Sequence, residues 1–321
     1  MDRIEPANDD TLKSAANRLR EGGLVAFPTE TVYGLGADAR NDDAVARIFA
    51  AKERPSFNPL IVHVEGLATA RALGEINEPA ATLAAHFWPG PISFVVPRLP
   101  DSGLSFLVSA GLDTVALRAP AHPLSRDLLA RFGGPIAAPS ANRAGEVSPT
   151  SAAHVADSLG DAPDLIMDGG PCMVGLESTV IDLCNTRPAI LRHGAVTREQ
   201  LEEILGPIDD ASVAEPGTAP RSPGQIAKHY APSIPLRINA TEVRPDEAFV
   251  FFGDPLAGNA AATRNLSPSG DIIEAAARLF ATLRELDRPE FAGIAVAPVP
   301  ETGIGRAIND RLRRAATAHK G

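Results

Sequence analysis

The chain has 321 residues, a hydrophobic share of 44% and a formal net charge of -10 from 30 basic and 40 acidic side chains. That length exceeds what one compact core usually takes, so one or two globular domains are expected, and the acidic balance speaks against a general nucleic-acid binder, which needs a basic excess. Cys172 and Cys184 lack metal-ligand spacing and can form one bridge at most, which excludes a disulfide framework and fits a reducing compartment.

In chain order, Thr11 to Glu21 predicts an amphipathic helix closed by Gly22-Gly23, and Leu24 to Phe27 a short strand stopped by Pro28. Asp42 to Ala51 reads as a helix and Leu60 to Val64 as a buried strand with one histidine in it. Ala80 to Phe87 and Leu124 to Phe132 read as helices; Ser93 to Val96, Thr114 to Leu117 and Ile136 to Ala138 read as strands. Ser151 to Leu159 is a helix with Thr150 as its N-cap. Leu165 to Met167, Ser178 to Leu183 and Ala189 to Leu191 are further strands, and Thr197 to Leu205 closes the region as a helix. The irregular mixture predicts an α/β domain on a twisted mixed sheet. Residues 206–235 are rich in Pro, Gly, Ser and Ala and too long for an ordinary connection. Beyond them, Phe249 to Phe252, Ile272 to Leu286, Gly293 to Ala297 and Gly305 to Ala315 alternate strand and helix, a second, smaller α/β unit.

Several short strings carry possible chemistry, each beside a plainer reading. Gly34-Leu35-Gly36-Ala37-Asp38-Ala39 fits a loose dinucleotide pattern, but strand and helix lie too far away, so turn glycines are expected. Lys52 and Arg54, held by Pro55, read either as a triphosphate grip or as a solvated helix end. His63 reads as a core histidine, and Arg118 at a strand end as a carboxylate or bicarbonate anchor or a structural ion pair. Ser140 and Asn142 lie in a small-residue loop, without the elbow or partners of a hydrolase serine. Ser148 is a ligand group or a helix-start turn. Gly175 to Thr179 and Leu191 to Gly194 read alone as ordinary turns, and no spacing specifies a zinc site.

Taken together and in order, FPTETVYGLGADA (27–39), AKERP with NPLIVHV (51–64), FWPGP (87–91), DTVALRAPAHP (113–123), APSANRAG (138–145) and ESTVID (177–182) resemble the threonylcarbamoyl-AMP synthase family. SPGQIAKHYAP (222–232) and GIGRAINDRLRRA (303–315) resemble the linker and the end of its long form. The resemblance implies a YrdC-like catalytic domain over residues 1–206, a linker or lid over 207–235 and a small Rossmann-like α/β domain over 236–321. It implies condensation of L-threonine, bicarbonate and ATP to threonylcarbamoyl adenylate and pyrophosphate, for modification of tRNA. Thr31, His63, Arg118, Ala138 and Ser178 would contact threonine or bicarbonate. Lys52, Arg54, Asn58, Thr114, Ser140, Asn142, Ser148, Arg192 and Tyr230 would contact ATP, with Lys52, Arg54 and Arg118 as the catalytic cations. Mg²⁺ would arrive with ATP rather than on protein side chains. The product would pass to a downstream tRNA threonylcarbamoyl transferase complex, with direct tRNA contact left open. The alternative is a non-enzymatic module binding double-stranded RNA or tRNA. The polar start MDRIEPANDD has no signal-peptide profile and no run approaches roughly 18 apolar residues, so a cytoplasmic protein without membrane association is expected.

Overall fold

The computed structural model describes residues 3–211, 229–254 and 258–318. The first unit runs β1 (Ile4–Pro6), α1 (Asp9–Arg20), β2 (Val25–Phe27), β3 (Gly34–Asp38), α2 (Asp42–Lys52), β4 (Ile61–His63), α3 (Leu67–Arg71), α4 (Glu78–Phe87), β5 (Ile92–Pro97), β6 (Thr114–Arg118), α5 (Pro123–Phe132), β7 (Ile136–Ala137), α6 (Ala152–Leu159), β8 (Leu165–Asp168), β9 (Thr179–Asp182), β10 (Ala189–Arg192), α7 (Arg198–Leu205) and β11 (Asp209–Asp210). The second has β12 (Leu236–Arg237), β13 (Ala248–Phe251), β14 (Ala262–Asn265), α8 (Ile272–Leu286), β15 (Ile294–Val296) and α9 (Gly305–Thr317).

Among the described residues the first eleven strands form one mixed sheet, ordered β1-β8-β2-β3-β7-β4-β6-β5-β9-β10-β11. Its two faces separate by the period-2 alternation of each strand. Leu60, Val62 and Val64 join the larger core with Val115, Leu117 and Ile181. Ile61, Ala116, Val180 and Leu191 turn to the other face. On that same face, Val25, Phe27, Ile136 and Ala138 pack under α1 and α5. A pocket lined by Ile61 and Ala138 lies between these two smaller clusters.

The second unit is a four-stranded parallel sheet, β12-β15-β13-β14. Its inward residues pack against Leu279, Leu283, Ile308 and Leu312 of α8 and α9. The same cluster takes in Val32, Val147 and Leu176 of the first unit, so the two share apolar burial.

Helix starts follow sequence chemistry. Asn8, Asn41 and Asn77 cap α1, α2 and α4, and Thr197 forms a capping box with Gln200 at α7. Three expectations change. Gly34 and Gly36 are not turn glycines: they sit within β3, paired to β2 and β7. A Cβ on Gly36 would come within 2.7 Å of the Phe27 ring and 2.9 Å of Ile136, so glycine answers close packing. The cap of α6 is Ser151, whose side chain accepts from the His154 amide, and Thr150 lies outside it. The first sheet runs past residue 206, because β11 pairs in parallel with β10. Strands of two to four residues (β1, β11, β12, β14) and the five-residue α3 escaped notice because they are too short to show a period. Most of the connection, including Gln225 to Lys228, lies outside the described residues.

Candidate active site

One cavity opens over the sheet face that carries Ile61 and His63 of β4 and Arg118 of β6. Register brings these together: β4 and β6 run parallel, with His63 directly opposite Arg118. Thr31, Arg54, Ala138, Ser140, Glu177, Ser178, Arg192, His229 and Tyr230 also line the cavity, with Thr29, Val32, Tyr33, Gly34 and Pro139. Nine residues expected at a site from sequence therefore meet here: Thr31, Arg54, His63, Arg118, Ala138, Ser140, Ser178, Arg192 and Tyr230.

At one end Arg118 is fixed on three sides. Its Nη2 lies 2.6 Å from Glu30 Oε1, its Nη1 donates to Thr31 Oγ1 at 2.9 Å, and its Nε donates to the Gly90 carbonyl at 3.3 Å. Burial alone would raise the Glu30 carboxyl; the Arg118 guanidinium outweighs it and holds Glu30 below its ordinary value. His63 stands edge-on to Phe27, 6.0 Å between centroids. Burial, aided by Arg118, pushes its pKa down to about 3, so the imidazole is neutral at physiological pH.

The other end is cationic. Arg54 donates from Nε to the Asn58 carbonyl and from Nη2 to the Pro59 carbonyl, at 3.1 and 2.8 Å. Burial draws its pKa down to about 9, which leaves it charged at neutral pH. Arg192 clasps Ser178 through the carbonyl (3.0 Å) and the hydroxyl (3.1 Å). The Ser178 hydroxyl also meets that of Ser93 at 2.8 Å.

Five expected residues do not line the cavity. Lys52 is buried behind it, its ammonium donating to the carbonyls of Ser140 (2.6 Å) and Asn142. It therefore shapes the Ser140–Asn142 loop, and Arg54, Arg118 and Arg192, but not Lys52, face the pocket. Asn142 donates to the Arg143 and Glu146 carbonyls, and Asn58 is buried beside Arg54. The Ser148 hydroxyl is bonded to Glu177. Thr114 shares the face of Ala116 and Arg118 but begins β6 where Arg118 ends it, about 13 Å away along a strand.

Among the groups the sequence did not mark are the titratable wall residues Glu177 and His229 and two supports, Glu30 and Arg311. Glu30 and Glu177 sit inside the telling strings, but each holds an arginine that lies far away in sequence, and nothing local marks a carboxylate for that work. Of the eight buried side-chain polar atoms without a hydrogen-bond partner among the described residues, six lie in or beside this pocket, on Asn58, His63, Asn142, His229, Tyr230 and Arg311. Such orphans are rare in protein interiors, and their gathering at one cavity marks a place built for a polar ligand.

The fold and pocket thus define a two-domain α/β protein with a deeply set cationic site for an anionic ligand. A family model described as Telomere recombination (Sua5, YciO, YrdC) matches residues 17–194, and one described as Threonylcarbamoyl-AMP synthase, C-terminal domain, matches residues 196–317. The chain is 42% identical to the threonylcarbamoyl-AMP synthase of Bacillus subtilis, across 96% of this chain and 94% of that protein. It is 40% identical to that of Pyrococcus abyssi, across 95% and 94%. A crystal structure of P. abyssi Sua5 complexed with L-threonine superposes with a TM-score of 0.89 at 38% identity, covering 98% of this chain and 96% of that one. The chain belongs to the threonylcarbamoyl-AMP synthase family, and it is an enzyme of the nucleotidyltransferase type.

Proposed function

We propose that this chain makes threonylcarbamoyl adenylate for tRNA modification. The amine of L-threonine and bicarbonate condense to a carbamate with loss of water. A carbamate oxygen attacks the α-phosphorus of MgATP, and pyrophosphate leaves. ATP, bicarbonate and the threonine carboxylate all bring negative charge, and the observation that carries the reading is the convergence of Arg54, Arg118 and Arg192, all buried, on one cavity. The crystallised P. abyssi relative bound to L-threonine supports the threonine part of it.

In this reading Arg118 receives the threonine carboxylate, with Thr31, His63, Ala138 and Ser178 around the substrate. Arg54, Ser140 and Arg192 hold the nucleotide. Lys52 and Asn142 fix the loop bearing Ser140, Asn58 braces the Arg54 turn, and Ser148 acts through Glu177. Thr114 would touch only a nucleotide that extends along the sheet face. A deprotonated carbamate needs no general base, so positioning and charge stabilisation carry the rate. Magnesium belongs to the substrate: Glu30 and Glu177 are each committed to an arginine.

The free volume of the cavity, ≈ 40 Å³, holds only a few waters, and the His229–Tyr230 pair helps to wall it. ATP is far larger. His229 and Tyr230 therefore act as the inner face of a lid that withdraws for ATP and returns to keep water from the adenylate. The first unit then extends through β11 and the second begins near β12, with the His229–Tyr230 pair between them. The product goes to a tRNA threonylcarbamoyl transferase complex, in the cytoplasm; among the described residues no helix is long and apolar enough to cross a membrane. A purely RNA-binding role, with direct tRNA contact in place of catalysis, has no specific observation in its favour. The test is pyrophosphate release with each substrate withheld in turn: release that ignores threonine or bicarbonate would sink the reading.

A further inference from the structure

The segment leading from Gly175 to the wall residue Glu177 faces the second unit at very short range. A Cβ on Gly175 (φ 70°) would strike the backbone of Ala277 in α8, so the loop lies directly against that helix. Next to it, Arg311 of α9 enters the first unit. Its side chain is 0% exposed, and its Nε donates to Glu177 Oε2 at 3.0 Å. The other oxygen of Glu177 accepts from the Ser148 hydroxyl. Asp310 holds the far side of the guanidinium through Nη1 at 2.8 Å and is itself held by Arg314 at 2.9 Å. The guanidinium lies 5.2 Å from the centre of the Tyr230 ring, and that ring stacks on Phe280 of α8 at 5.7 Å. Arg311 thus joins three things across the domain boundary: the Glu177 wall, Ser148 behind it, and Tyr230.

We propose that Arg311, supplied by the C-terminal unit, is a positioning residue for the nucleotide side of the pocket, acting through Glu177 and Tyr230. This rests on the reading of that side as an ATP site. The second unit is then part of the site's construction and not an appendage, since the pocket's wall at Glu177 is completed by a side chain 134 residues further along the chain. A guanidinium suits this position because its planar fork can bind two carboxylates in fixed directions while its face supports an aromatic ring. Lysine would keep the charge and lose both the fork and the stacking face.

The experiment is calorimetric titration of the full chain with a Mg²⁺-bound ATP analogue blocked between the α- and β-phosphates, and separately with L-threonine. The variants are Arg311→Ala, Arg311→Lys, Glu177→Gln and the Arg311→Ala/Glu177→Gln pair. Arg311→Ala is expected to weaken nucleotide binding at least tenfold and leave threonine binding within twofold of wild type. Arg311→Lys should recover only part of the loss, and the double variant should be little worse than Glu177→Gln alone. Nucleotide affinity unchanged in both Arg311 variants, or nucleotide and threonine binding falling together, overturns the proposal. If Arg311→Ala does not fold, Arg311→Lys carries the same selective test. A wild-type chain that binds threonine but no nucleotide would instead overturn the ATP reading of that side of the pocket, and this proposal with it.

Discussion

Glu30 Oε1 and Arg118 Nη2 stand 2.6 Å apart, and neither side chain is more than 6% exposed. The second Glu30 oxygen accepts the Ala121 amide at 3.0 Å, so the carboxylate ties the Thr29–Thr31 segment to the turn after β6. The arginine is thereby held with its fork in one orientation beside Thr31 and His63.

Glu30→Gln keeps the shape and removes the charge. Leaving a buried arginine uncompensated costs about 3 kcal/mol. Urea unfolding should register that loss, and the KM for threonine should rise at least tenfold. Wild-type stability in Glu30→Gln would mean that the pair contributes no electrostatic support.

Stability should fall as pH drops below neutrality. His63 has a folded pKa of about 3, and burial, with Arg54 and Lys52 nearby, holds His229 well below its ordinary value. Below the unfolded value of about 6.5 the unfolded chain takes up protons that the folded chain refuses. Each histidine then removes up to about 1.4 kcal/mol per pH unit. The lowered Glu30 and Glu177 carboxyls work in a lower window: their contribution is present above the ordinary carboxylate pKa and is lost as pH falls through their folded values. Urea titrations at pH 7.5, 6.5 and 5.5 should show the decline, and His63→Asn should make it shallower. An unchanged slope in His63→Asn would place a proton on the folded His63.

Gly194 lies two residues after the pocket residue Arg192, and a Cβ there would meet the backbone of Glu177, Ser178 and Thr179. Gly194→Ala should cost about 2 kcal/mol by overpacking and displace Ser178 from Arg192. The expected result is a lowered thermal midpoint together with a drop in kcat/KM of tenfold or more. An alanine variant with wild-type kinetics would show that the Ser178 strand entry tolerates the shift.

Arg54 and Lys52 lie two residues apart yet do different work. Arg54→Ala should lower pyrophosphate release at least a hundredfold with the fold retained, because a pocket cation is lost. Lys52→Met should instead disturb the Ser140–Asn142 loop, appearing first as lost stability, because its ammonium donates to the Ser140 and Asn142 carbonyls. Circular dichroism and turnover measured on both variants separate the two roles; a folded, fully active Arg54→Ala would remove Arg54 from the site.

Much of the pocket was legible in the sequence because its groups sit at the ends of strongly apolar strands. His63, Arg118 and Arg192 each end one, and register in a single sheet does the rest. Gly36 misled because a glycine required by neighbouring side chains looks, in sequence, like one required by a turn. Lys52 looked like a ligand group because the acceptors that take it, backbone carbonyls 88 and 90 residues away, leave no trace in composition. Arg311 was hidden for the same reason: in a helix rich in arginine, nothing local distinguishes the one that crosses to Glu177.

The most direct measurement is pyrophosphate release from MgATP by the full chain, with threonine and bicarbonate each supplied or withheld. The expected result is release only when both are present. Release with threonine alone would indicate plain amino-acid adenylation and contradict the carbamate route; no release under any combination would contradict the assignment of this pocket as a threonylcarbamoyl adenylate-forming site.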